Sequence, residues 1–158
     1  MIPSRDYLKT IRPVDAMFKL GEAILKKEFE HVETEYAFMD LFGCNHNGDS
    51  CEIEIKCGDY DLYKELVKPS KVAKHTNYLA GVGFVPTRFY FLVLQPVERK
   101  AIAWMDKHSL PYGLLVFNSN NGHGYMARKS QKLSDLPFLG EVNYYKDHFD
   151  FGHKRSVI

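Results

Sequence analysis

The chain has 158 residues, a length that most simply forms one domain around one core. It is 45% hydrophobic and 26% charged, as in ordinary globular proteins, and its net charge of +1 leaves any nucleic-acid binding to local clusters rather than to bulk charge. No apolar run approaches the roughly 18 residues that cross a bilayer, residues 1–6 lack a signal peptide's apolar centre, and Cys44, Cys51 and Cys57 fit reduced thiols better than a disulfide framework; a cytoplasmic protein with no membrane partner is expected.

Residues 1–12 read as a mixed lead-in. Pro13 suits a helix start and Asp15 its first turn. Over 14–29 the apolar residues Met17, Phe18, Leu20, Ile24, Leu25 and Phe29 recur at helical spacing. Residues 31–42 read as extended and bent near Phe38, with 51–57 as their hairpin partner. A helix is expected over 59–67, broken at Pro69-Ser70, resumed over 71–79 and ended by Gly81-Val82-Gly83. The apolar run 88–94 reads as a central strand buried on both faces. A helix over 97–108, a short buried strand over 114–117, a polar loop over 118–124 and an edge strand over 125–133 follow. This order argues for a mixed sheet covered by helices.

The densest chemical signal lies in the hairpin. Cys51-Glu52-Ile53-Glu54-Ile55-Lys56-Cys57 alternates as a strand does, placing Glu54 and Lys56 on one face and Ile53, Ile55 and Cys57 on the other. The loop decides whether Asp40 joins them. A two-residue Asn47-Gly48 turn pairs Asp40 with Ile55 and turns it to the wrong face. A three-residue His46-Asn47-Gly48 loop with Gly48 left-handed pairs it with Glu54. Asn-Gly chemistry permits either, and a shared face for Asp40 and Glu54 is expected. Two carboxylates and a lysine on neighbouring strands suit a divalent cation with a positioned water. The plain counterpart is a solvent-facing ion pair of little energetic worth. Cys44, His46, Cys51 and Cys57 supply four N/S ligands, but their spacings match no familiar zinc module, so thiols at buried or edge positions are expected instead.

With Asp40, the hairpin and Glu54-Ile55-Lys56 in this order, the chain resembles the PD-(D/E)XK nuclease superfamily over residues 14–133. Nearest in pattern is the MmcB-like group associated with DNA repair. That resemblance is carried by Glu54-Ile55-Lys56, the acidic-leading helix 59–65, Lys74-His75-Thr76-Asn77-Tyr78, the aromatic strand 88–94, and the later Tyr112-Gly113-Leu114 and Arg128-Lys129. Met39 stands where the superfamily's naming proline would be, and the tail from Ser134 has no counterpart.

The resemblance implies an α/β, restriction-endonuclease-like fold: a mixed central sheet with an αβββαβ core plus an extra helix and strand, flanked by helices. The nuclease-like domain would span 1–133, and 134–158 would be a C-terminal extension packed on it or used for interaction. The implied activity is metal-dependent hydrolysis of DNA phosphodiester bonds by an endonuclease of repair, recombination or defence. Asp40 and Glu54 would hold Mg2+ or Mn2+, with the Ile55 carbonyl as a further oxygen ligand, and Lys56 would orient the water or stabilise charge at phosphorus. A helix-borne glutamate often joins such sites; Glu22 is the first candidate and Glu35 the second. Lys64, Lys68, Lys71, Lys74 and His75, with Tyr78 beside them, form the expected DNA-binding segment. A homodimer would supply two sites for two-strand cutting. Two other readings stand beside this one: a catalytically silent nucleic-acid-binding domain on the same fold, and a protein-interaction module using the aromatic tail.

Overall fold

Pro13 at the first helical position and Asp15, paired with Arg12, start the long second helix, and the computed structural model describes residues 2–36 and 39–134. In chain order the elements are α1 (Arg5–Leu8), α2 (Pro13–Glu28), β1 (His31–Tyr36), β2 (Met39–Cys44), β3 (Ser50–Lys56), α3 (Asp59–Tyr63), a 3-10 turn (Lys64–Leu66), α4 (Pro69–Ala80), β4 (Arg88–Leu94), α5 (Glu98–Lys107), β5 (Gly113–Asn118) and β6 (His123–Arg128). The expected C-terminal extension lies, beyond Ser134, outside the described residues. Among the described residues no helix is long and apolar enough to cross a membrane.

The six strands form one sheet in the order β1-β2-β3-β4-β5-β6. β3, β4 and β5 run parallel, and the remaining neighbours pair antiparallel. Parallel neighbours need crossovers. The segment from α3 to α4 supplies the first and α5 the second, which gives a mixed α/β sheet with helices on both faces.

Alternation along β4 divides the core. Tyr90 and Leu92 join Leu41, Ile53 and Ile55 beneath α2, whereas Phe89, Phe91 and Val93 join Tyr78, Trp104, Met105 and Tyr112 on the other side. Arg88–Leu94 is therefore buried on both faces, as its apolar run implied.

Three boundaries differ from the sequence reading. Residues 31–42 are not one bent strand but two, folded back on each other with Val32 opposite Gly43 and Tyr36 opposite Met39. Ser4 caps a short α1 inside the expected lead-in, its side chain accepting from the Tyr7 N–H. The last strand starts earlier and ends at Arg128, after a turn in which left-handed Gly122 donates to the Asn118 carbonyl. The break at Pro69 is as expected, with the proline at the first helical position of α4, and left-handed Gly81 ends that helix.

Gly113 opens β5 where a Cβ would stand 2.6 Å from the Ser130 backbone nitrogen and against the Tyr90 ring. Gly113→Ala is expected to cost about 1–3 kcal/mol of stability by overpacking. Urea denaturation reads this, and an unchanged midpoint would show that the β5 end has room to relax.

Candidate functional site

The turn between β2 and β3 sets the site. The Asn45 N–H donates to the Asp49 carbonyl and the Gly48 N–H to the Asn45 carbonyl, with Gly48 at φ 98°. This is the three-residue alternative, and its register carries through Cys44 opposite Ser50 to Leu41 opposite Ile53. Asp40 is the next residue, beyond the last paired position, and its Oδ2 accepts the Ile55 N–H at 2.8 Å, so a side chain takes the amide where the β2–β3 pairing ends. Asp40, Glu52, Glu54 and Lys56 share the face turned away from α2.

All seven residues of β3 are buried, so this charged face must be met by opposite charge. Lys71 and Lys74, three apart on α4, supply it. Lys71 Nζ lies 3.3 Å from Glu54 Oε2, and Lys74 Nζ lies 3.4 Å from Glu54 Oε1 while also binding Glu52. The Tyr78 hydroxyl donates to Glu52 at 2.6 Å. Lys56 Nζ sits 3.7 Å from Glu54 and 2.8 Å from Glu65, a residue of the 3-10 turn. Glu65 is 1% exposed and also accepts from His75 Nε2 at 2.8 Å; His75 Nδ1 lies 2.8 Å from the Tyr112 hydroxyl.

Protonation follows from these contacts. Burial would raise Glu65, but hydrogen bonds from His75 and Lys56 outweigh it and hold the carboxyl at about 2. An ionised Glu65 only accepts, so His75 donates through Nε2. Burial keeps this imidazole below its usual range and hence neutral, so Nδ1 accepts from Tyr112. Burial also works against charge on Lys56 and Lys74, yet their carboxylate partners prevail and hold both above the usual lysine range. Lys56 is thus a fixed ammonium, suited to stabilising negative charge and unsuited to accepting a proton. Asp40 is pushed up to about 6 by burial and by Glu54. Burial drives Glu52 upward as well, opposed by Lys74 and Tyr78; the lysine and the donated Tyr78 proton favour the ionised carboxylate.

Five carboxylates (Asp40, Glu52, Glu54, Asp61 and Glu65) meet three ammoniums here, an acidic surplus. Among the described residues no three His, Cys, Asp or Glu side chains converge as a ready-made metal site. The donor set nonetheless fits Mg2+ or Mn2+. Mg2+ is commonly held by one or two carboxylates with water and substrate phosphate completing the shell, and the burial and the Glu54 charge that push Asp40 up are what a cation would offset.

The structure brings together Asp40, Glu54 and Lys56, and it adds Glu52, Glu65 and Tyr112. The Glu52 signal was in the strand alternation itself, two positions before Glu54. Glu65 and Tyr112 carry no local signal, since only the crossovers bring them in. Glu22 requires correction: it lies on α2, across the sheet, 3.6 Å from Lys26 and beside a cleft that Thr34 also lines. Glu35 is exposed at φ 52°, a left-handed backbone on β1, two strands away from β3. His75 and Tyr78 are buried at 1% and 7% exposure, so their expected DNA-binding role is replaced by roles inside the cluster. Lys71 and Lys74 face the carboxylates, whereas Lys64 and Lys68 are exposed, with Lys64 over the Tyr60 ring. Cys51 lies in the α2 core and Cys44 beside Tyr36 and Phe42, in separate buried clusters.

Two substitutions should act with opposite sign. Glu65, lowered from 4.5 to about 2, adds stability above pH 4.5 that is lost as pH falls toward 2. Glu65→Gln should therefore cost about 3 kcal/mol near neutrality, and the deficit should shrink in acid. Asp40, raised from 3.8 to about 6, destabilises the fold once ionised above pH 6 and not below pH 3.8. Asp40→Asn should stabilise by about 1–2 kcal/mol near pH 8, and the gain should vanish near pH 4. Denaturation midpoints across pH check both; parallel curves for wild type and variants would contradict the assignments.

No family model matches the chain, and no curated protein matches it. A solved structure, the SPO1766 protein of unknown function from Silicibacter pomeroyi, is similar at 13% identity with a TM-score of 0.47, over 78% of this chain and 79% of that one.

Proposed function

We propose that this chain is a metal-dependent nuclease that hydrolyses DNA phosphodiester bonds, built on a restriction-endonuclease-like version of its mixed sheet and related in pattern to the MmcB-like repair group. One observation carries the reading. Asp40, one residue beyond the Leu41–Ile53 pair, accepts the Ile55 N–H and lies close enough to Glu54 for that charge to push it up, with β2 and β3 held in register by the Gly48 turn. A two-residue turn would have separated Asp40 from Glu54.

A divalent cation held by Asp40, Glu54 and the Ile55 carbonyl would polarise the phosphate and lower the pKa of an attacking water. The chain's own contributions are distinct from that. Asp40, near 6, is ionised at neutral pH and free to accept positive charge. Lys56, fixed as an ammonium by Glu65, stabilises the charge that builds on the phosphoryl oxygens as water adds to phosphorus and the bond to the leaving sugar oxygen breaks. Lys71 and Lys74 neutralise Glu54 in the free protein and are the ammoniums nearest an incoming phosphate. Lys68 and Lys64 extend the charge over the surface. An endonuclease of repair, recombination or defence fits this set, and a homodimer would allow both strands to be cut.

A second reading, a silent nucleic-acid-binding domain, is favoured by the lysine placed against each Glu54 oxygen. Cleavage separates the two. Labelled single-stranded, duplex and branched DNA is incubated with Mg2+, Mn2+ or chelator. Cutting is expected with metal only, and a loss of roughly 100-fold or more in Lys56→Ala and Asp40→Ala. Salt-sensitive binding without cutting would support the silent domain; cutting unaffected by either substitution would sink the assignment of the site.

A further inference from the structure

A cavity of about 580 Å3 opens beside the acidic face, within the range of ordinary small-molecule sites. Along α4 it runs from Lys68, Ser70 and Lys71 at the helix start, past Asn77, to Tyr78 and then to Val82 and Phe84 beyond the helix end. Its two ends differ in chemistry. The first is basic and its helical turn holds no acidic residue. The second is apolar and aromatic: the Phe84 ring meets Phe42 edge-on at 5.6 Å and Tyr78 at 6.3 Å, Met39 lines the same wall, and Val82 is 55% exposed.

Such a cavity fits an anion attached to a flat apolar body. Lys71 ties it to the nuclease site, because the same ammonium lies 3.3 Å from Glu54. A phosphodiester lying on Asp40 and Glu54 would therefore continue past Lys71 and Lys68, and the base of that next nucleotide would meet Phe84 and Val82. The Asn77 side-chain amide offers two donors and an acceptor for a base edge. Bases in a duplex are paired and stacked, so they do not reach a cavity of this kind without being turned out.

We infer that this cavity takes one unpaired nucleotide of the DNA strand, its phosphate on Lys68 and Lys71 and its base against Phe84 and Val82, so that single-stranded DNA is the preferred substrate. The inference deepens the nuclease reading and rests on it for the path of the strand.

The test is fluorescence anisotropy of the full chain, in chelator so that nothing is cut. Three probes are used: a labelled single strand, an all-abasic strand of the same length, and a duplex. The base-bearing strand is expected to bind about tenfold tighter than the abasic strand and tighter than the duplex. The preference over the abasic strand should fall toward onefold in Phe84→Leu and in Asn77→Ala, the latter an exposed position where folding is not at risk. Equal affinity for base-bearing and abasic strands, tighter binding of duplex, or no binding at all would overturn the inference. Base preference in chelator reads the cavity, whereas metal-dependent cutting lost in Lys56→Ala reads the nuclease, so either can fail without the other.

Discussion

Glu52, Glu54 and Lys56 sit on one face of a strand buried along its whole length, and the arrangement of α4 follows from neutralising them. Leaving a buried charge without a partner costs several kcal/mol, a large share of the stability of any domain this size. The remedy is local and specific. Lys71 and Lys74 are one helical turn apart, so a single orientation of α4 carries both to the carboxylates, and that orientation turns His75 and Tyr78 inward too. The 3-10 turn before α4 then delivers Glu65 to Lys56, and β5 begins where Tyr112 can donate to His75. A chain of contacts thus joins β3 to both crossovers and to the start of β5 on one face of the sheet.

The neutralisation is incomplete, and under the proposed function the remainder is available to a cation. Asp40 lies outside the lysines' direct contacts and is pushed toward protonation by burial and by Glu54. A fold optimised for stability alone would carry an amide there, or move the carboxylate into water. Perturbed carboxylates beside a fixed ammonium are a common mark of a working site, where charge is held ready for a ligand. Glu65 differs in kind. Its carboxylate is satisfied by His75 and Lys56, so it positions the lysine instead of facing a substrate.

The sequence carried the elements that depend on local pattern. The alternation of β3, the doubly buried run of β4 and the break at Pro69 all follow from period and turn chemistry, whereas Asn47-Gly48 allows two loop lengths and only the structure selects the three-residue one. It did not carry what depends on azimuth or crossover. Lys71, Lys74, His75 and Tyr78 recur at helical spacing, which reads equally as a solvated basic face or as an inward stripe; only the charges on β3 decide between them. Glu65 looks like any surface glutamate until the turn buries it. The antiparallel pairing of β1 with β2 is not legible in the alternation of 31–42, and Glu22 reads as a site candidate because helix residues can face either side of a sheet until packing is known. Glu52 was within reach, since the same alternation that selected Glu54 selects it.

We propose that Asp40 and Glu54 together hold a divalent cation. Calorimetric titration of Mn2+ into the metal-free chain tests this most directly. One ion per chain is expected, with weaker binding as pH falls through about 6 because the ion must displace a proton from Asp40, and with loss of that binding in Asp40→Asn. Absence of Mn2+ binding at millimolar concentration, or binding that Asp40→Asn leaves intact, would contradict it and leave the charged face of β3 as a purely structural cluster.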